Sequence, residues 1–251
     1  MKKVICAAIA ALIALSLVSC RAEHPNTVFS IADLVGKSVG VLEGTASESY
    51  LRGMTGSINI KLFSSANALA AELKNGGVDA ALADEETAAR LLHSSGLTSL
   101  DSPFVDTEYC IAVSEDNREL YDAVESAVVN LSRAGVLGKI SEDWIAGKAE
   151  PYKDETSYRE SLSIAVSDDF WPYSYRDESG ELVGLEIDVA RRICSELGVN
   201  AEFKVVKADM ILYMAESGKV SFAIGRIPRG DASVLYTSGY ISSKQEIIVR
   251  K

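Results

Sequence analysis

From residue 30 onward, short apolar runs alternate with amphipathic stretches. Val39–Leu42 reads as a buried strand, Ser47–Met54 as a helix, Ile58–Phe63 as a strand and Ala66–Asn75 as a helix. Ala80–Leu82 and Glu85–His93 continue the rhythm as strand and helix. Apolar runs this short, set between amphipathic helices, predict an α/β lobe with a largely parallel sheet. Tyr109–Val113 predicts another strand, and two helical segments follow, Asn117–Ala134 and Val136–Ile145. Residues 146–160 are polar, carry Pro151 and show no period, so they read as a linker. A second series then begins. Strands are expected at Leu162–Val166, Ala201–Val206 and Val220–Ile224, with helices at Gly184–Leu197 and Met210–Ser217. A final strand is expected at Glu246–Arg250, and the two halves share a rhythm without repeating each other.

The first residues break this pattern. Lys2 and Lys3 precede an apolar run from Val4 to Val18, too short for a comfortable membrane span and of the form of a secretory signal. Its ending, Leu17-Val18-Ser19-Cys20, resembles a bacterial lipobox, which makes residues 1–19 a lipoprotein signal peptide and Cys20 the acylated first residue. Residues 20–29 are then a lipidated tether holding the domain at a membrane surface. A plain signal with an incidental cysteine is the alternative.

With 251 residues the chain has room for one large domain or two lobes. A net charge of -11, with no basic run beyond Lys2-Lys3, argues against nucleic acid as a partner. Cys110 and Cys194 lie in apolar segments and are expected as buried free thiols, although a disulfide between them stays open. His24 and His93 are the sole histidines, so no zinc-type spacing occurs, and no cofactor is expected.

Candidate chemistry begins at Gly44-Thr45-Ala46-Ser47, where a strand stops and a helix opens. Backbone N–H groups at such a turn favour an anion such as a carboxylate. An ordinary connection with Thr45 as N-cap explains the same residues. Asp84, in VDAALADEE, lies at a strand end; by itself it reads as the cap of the following helix. Phe170, Trp171 and Tyr173 place three aromatics within four residues of an expected loop.

Residues 163–251 resemble the beginning of an extracytoplasmic amino-acid-binding protein of the ABC-importer type, bacterial solute-binding protein family 3. The matching words are IAVSDDFWPYSYRDESGELVGLEIDVARRICSELGV, ESGKVSFAIG and YTSGYISSKQEIIVRK. Residues 33–147 resemble the second half of the same family through DLVGKSVGVLEGTASESY, LKNGGVDAALADEETAA and YCIAVSEDNRELYDAVESAVVNLSRAGVLGKISEDW. The family order is therefore reversed, as in a circular permutation in which the linker 146–160 joins the usual ends. Chain ends that lie together at the surface make such an exchange tolerable. Two truncated domains or a gene-model artefact would give the same order.

The resemblance implies an α/β, two-lobed periplasmic-binding-protein-like (type II) fold, permuted and preceded by the lipoprotein signal. One ligand-binding lobe would span residues 30–108 and the other 109–251, with Tyr109–Val113 and Gln245–Arg250 as hinge strands. It also implies roles for residues. Thr45, Ala46 and Ser47 would hold a ligand carboxylate, Asp84 its ammonium, and Phe170 would pack on the ligand while Tyr173 serves the core. Capping and ligand contact can coexist at Asp84. The segment AIGRIPRGDASVLYTSGY departs from the family, which has a Ser/Thr-rich turn followed by a carboxylate-gripping arginine. Arg226 or Arg229 is expected to supply the guanidinium, and a solvated loop arginine is the alternative for each. The implied function is capture of an amino acid or related small polar solute for an ABC permease, outside the cytoplasm and at the membrane through the lipid anchor. A sensory solute-binding module and a periplasmic dehydratase-like enzyme are the alternatives, as is a structural lipoprotein with a dead site.

Overall fold

The computed structural model describes residues 24–100, 105–154 and 156–251. Cys20 and the expected signal lie outside them. The chain first builds β1 (Ser38–Leu42), α1 (Ala46–Gly53), β2 (Asn59–Phe63), α2 (Ala66–Lys74), β3 (Ala80–Asp84), α3 (Glu85–Leu92) and β4 (Leu97–Ser99). β1 lies between β2 and β3, both parallel to it, as the apolar runs predicted. Each helix starts on a polar side chain: Thr45 accepts from the Glu48 N–H, Ser65 from Ala68 and Asp84 from Thr87. The apolar faces of α2 and α3 pack with Leu42, Ala81 and Ala83 around Leu69, Leu73 and Leu91.

The strand β5 (Val105–Ser114) then leaves this lobe. Its first half pairs with the last strand of the chain, and its second half enters a different sheet region. There follow α4 (Arg118–Arg133), α5 (Val136–Ile145), β6 (Ser161–Val166), a small sheet of β7 (Asp169–Phe170), β8 (Ser174–Arg176) and β9 (Leu182–Val183), then α6 (Leu185–Leu197). β10 (Asn200–Val205), α7 (Ile211–Glu216), β11 (Phe222–Pro228), β12 (Val234–Tyr236) and β13 (Ile241–Arg250) complete the molecule. α4 buries Val124, Ala127, Val128 and Leu131 at helical spacing, in one core with Ile187, Val189 and Ile193 of α6. The described residues of 146–160 contain no helix or strand and run mainly over the surface.

One long sheet, in the order β10-β6-β11-β5-β13-β3-β1-β2, passes through both lobes, with β12 on β5 and β4 on β13. β5 and β13 are its antiparallel middle and the two crossings between lobes. The architecture is thus the α/β, two-lobed one that the resemblance implied. Beyond its pairing with β5, β13 also pairs with the first series, Gln245–Ile248 with β3 and residues 248–250 with β4. Both hinge strands are longer than the expected Tyr109–Val113 and Gln245–Arg250, since pairing with each other extends them. The expected helix at Met210–Ser217 begins as a 3-10 turn over Ala208–Met210. The three small strands β7–β9 were not expected, being too short to show a period.

The thiols of Cys110 and Cys194 are free and buried, and burial pushes Cys194 up to about 12. A conformational lock sits at Gly184, before α6. Its φ is +134°, and a Cβ there would overlap the Tyr173 carbonyl. Gly184→Ala is expected to cost about 3 kcal/mol or more in urea unfolding. Gly180→Ala, with φ +85° in open space, is expected to cost about 1–2 kcal/mol. Equal costs would remove the overlap as the cause.

Candidate functional site

The β11 strand carries a register shift against β5 between Ala223 and Ile227, and Arg226 sits inside it with φ +51°. A left-handed conformation at a side-chain-bearing residue costs about 1–3 kcal/mol and persists only where surrounding groups fix it. Glu186 and Tyr240 do so here. The Arg226 N–H donates to Glu186 Oε1 at 2.6 Å and to the Tyr240 hydroxyl at 3.1 Å. The Tyr240 hydroxyl itself donates to the same Glu186 oxygen in a short hydrogen bond. A bulge of this kind re-aims a side chain, and the Arg226 side chain is directed between the lobes.

Its guanidinium meets groups from both of them. The Arg226 Cζ lies 3.1 Å over the centroid of the Phe170 ring and 5.4 Å from that of Tyr173. Arg226 Nη1 donates to Asp84 Oδ2 at 3.1 Å, and both residues are about 2% exposed. The other Asp84 oxygen accepts the Thr87 N–H at 2.9 Å, so Asp84 both caps α3 and faces the cleft. The Tyr109 hydroxyl, on β5, reaches Asp84 Oδ2 at 3.4 Å. A buried pair of this kind gains little net stability, since desolvation of both charges offsets their attraction, but losing either partner strands the other.

The remaining expected residues are distributed unevenly. Thr45 caps α1 and donates its hydroxyl to the Leu42 carbonyl at 2.7 Å. Ser47 donates to Gln245 Oε1 on β13 at 2.6 Å, and the Gly44 N–H is taken by Glu48. The hydroxyls of the turn are thus committed within the protein. Ala46 reaches into the core of the other lobe, and a Cβ on Gly44 would lie 3.1 Å from that of Ala208. Arg229 donates to the Tyr236 and Thr237 carbonyls at 3.4 and 2.9 Å. Those bonds hold it against β12 rather than on Asp84 or Phe170. Trp171 is half-exposed with Arg90 of α3 over its ring at 5.8 Å. Between Ser65, Thr87, Arg90 and Phe170 a crevice of about 70 Å³ remains.

Glu186, Tyr240, Tyr109, Glu86 and Gln245 were not singled out from the sequence. Glu186 had a signal: an acid in the apolar word LVGLEIDVA, on the buried face of α6. Glu86 accepts the Ser243 hydroxyl at 2.9 Å. Burial raises both glutamates above the usual carboxylate range, and for Glu86 the Asp84 charge adds to it. Among the described residues no group of His, Cys, Asp and Glu could hold a metal ion.

Comparison with known proteins finds similarity over part of the chain. Residues 162–251 match the model of the bacterial extracellular solute-binding proteins, family 3. The L-cystine-binding protein TcyJ of Escherichia coli (strain K12) is 29% identical over 123 residues, covering 48% of this chain and 46% of that protein. ABC transporter arginine-binding protein 1 of the same organism is 26% identical over 125 residues, covering 47% and 51%. Among solved structures, an ancestral arginine-binding protein bound to arginine is 39% identical over 27% of this chain and 30% of its own, with a TM-score of 0.26. The chain spans about half the length of the curated relatives it matches. Over these residues the chain is similar to proteins of that family.

The buried glutamates set a pH dependence. A carboxyl that holds its proton to higher pH in the folded state than in the unfolded one contributes stability below the ordinary glutamate range, and this is lost as pH rises above it. Melting temperature measured from about pH 4 to about pH 8 is expected to carry this decline in wild type and to be flatter in Glu186→Gln. Parallel curves for the two proteins would show that Glu186 does not titrate in this way.

Proposed function

We propose that this protein captures an amino acid or related small polar solute between its two lobes and delivers it to an ABC permease. The observation that carries this reading is the meeting of Asp84 from one lobe with Phe170 and Arg226 from the other in a buried cleft. A carboxylate beside an aromatic face suits the cationic end of a solute. Backbone N–H groups of Thr45, Ala46 and Ser47 at the start of α1 would hold a carboxylate, with the macrodipole in support. The named relatives are binding proteins, which favours capture over the sensory and dehydratase alternatives.

The arrangement along the chain is read as a circular permutation of the family. In its support, residues 162–251 match the family model, while α4 and α5 precede them and pack on α6. The Arg250 Nε donates to the His24 carbonyl at 2.7 Å, so these two distant positions are neighbours and their connection can change without moving the fold. Lobes of residues 30–108 and 109–251, joined as above, and a lipid anchor on Cys20 complete the reading.

Thermal-shift screening of the protein against the standard amino acids tests the function. A true ligand at 100 times its dissociation constant adds about 2.7 kcal/mol of stability, read as a raised melting temperature. A flat response across amino acids and related small polar solutes would end the receptor reading. For the anchor, Cys20→Ala expressed in a bacterium is expected to move the protein from the detergent phase to the aqueous phase. Wild type found wholly aqueous and unacylated would refute lipidation.

A further inference from the structure

We propose that Arg226 is an internal ligand: its guanidinium occupies the subsite for a solute's cationic group and latches the lobes shut until a solute displaces it. The solute role rests on the receptor reading above; the latch does not. Three independent features converge on it. The side chain makes the two contacts that a bound guanidinium or ammonium would seek, a face-on stack on Phe170 at 3.1 Å and a bond to Asp84 at 3.1 Å. Those contacts come from opposite lobes, so one side chain closes the cleft. The backbone at Arg226 is held in a left-handed conformation within the β11 register shift, by hydrogen bonds from its N–H to Glu186 and Tyr240. Strain maintained by two buried partners is what aims this side chain inward.

A solute therefore competes with an intramolecular group, and its apparent affinity is reduced by the fraction of molecules in which Arg226 has swung out. The vacated subsite, with a carboxylate under an aromatic face, takes a cationic head group, so L-arginine is the natural probe.

Small-angle X-ray scattering and calorimetric titration with L-arginine test both halves, on wild type, Arg226→Gly and Arg226→Gln. Glycine suits the left-handed backbone, and glutamine keeps a long polar side chain without the charge; circular dichroism confirms that each is folded. Without additives, wild type is expected to be compact and both variants to shift to a larger radius of gyration. L-arginine is expected to restore compactness to Arg226→Gly and to bind it at least tenfold more tightly than wild type. Folded Arg226 variants as compact as wild type would overturn the latch. Variants that open and then bind a neutral or acidic amino acid but not L-arginine would overturn the cationic subsite. Opening with no amino acid bound would uphold the latch and count against the receptor reading.

Discussion

The structure depends on one buried contact, the Arg226 guanidinium held between the Asp84 carboxylate and the Phe170 ring. Two charges that are almost fully covered gain little net energy from each other once their lost hydration is counted. What the contact supplies is position. Asp84 stands at the end of β3 and caps α3, Phe170 lies on β7, and Arg226 projects from the shifted register of β11. Each is fixed by its own element, so the three meet only when the lobes are together.

Around this contact the molecule places further acids. Glu186 fixes the Arg226 backbone and shares its oxygen with Tyr240, while Glu86 turns to Ser243 on β13. Burial raises both glutamates, and the guanidinium next to Glu186 opposes that rise without cancelling it. The Arg226 guanidinium thus lies among the carboxyls of Asp84, Glu86 and Glu186.

The two crossings set what the lobes can do. β5 and β13 pair with each other at their shared middle and with different lobes at their ends. Each carries site residues near the crossing: Tyr109 on β5, Ser243 and Gln245 on β13. Hinges of this kind absorb a domain movement in a few residues. Tyr109 on β5 thus touches Asp84 from the crossing itself.

The sequence by itself determined the α/β rhythm, the strand at Tyr109–Val113, the burial of Cys110 and Cys194, and the cap at Asp84. These follow from local patterns: a period of 2 or 3.6, or a polar side chain at a helix start. Family-like words added the two lobes and drew attention to Asp84 and Phe170. Tertiary structure alone paired Arg226 with Asp84 and Arg229 with the carbonyls of β12 and the residue after it. It alone showed Glu186 and Tyr240 acting together, 54 residues apart, and paired the last strand with both β5 and β3. Strand pairing and side-chain meeting join residues distant along the chain, and no periodicity within one segment carries that information.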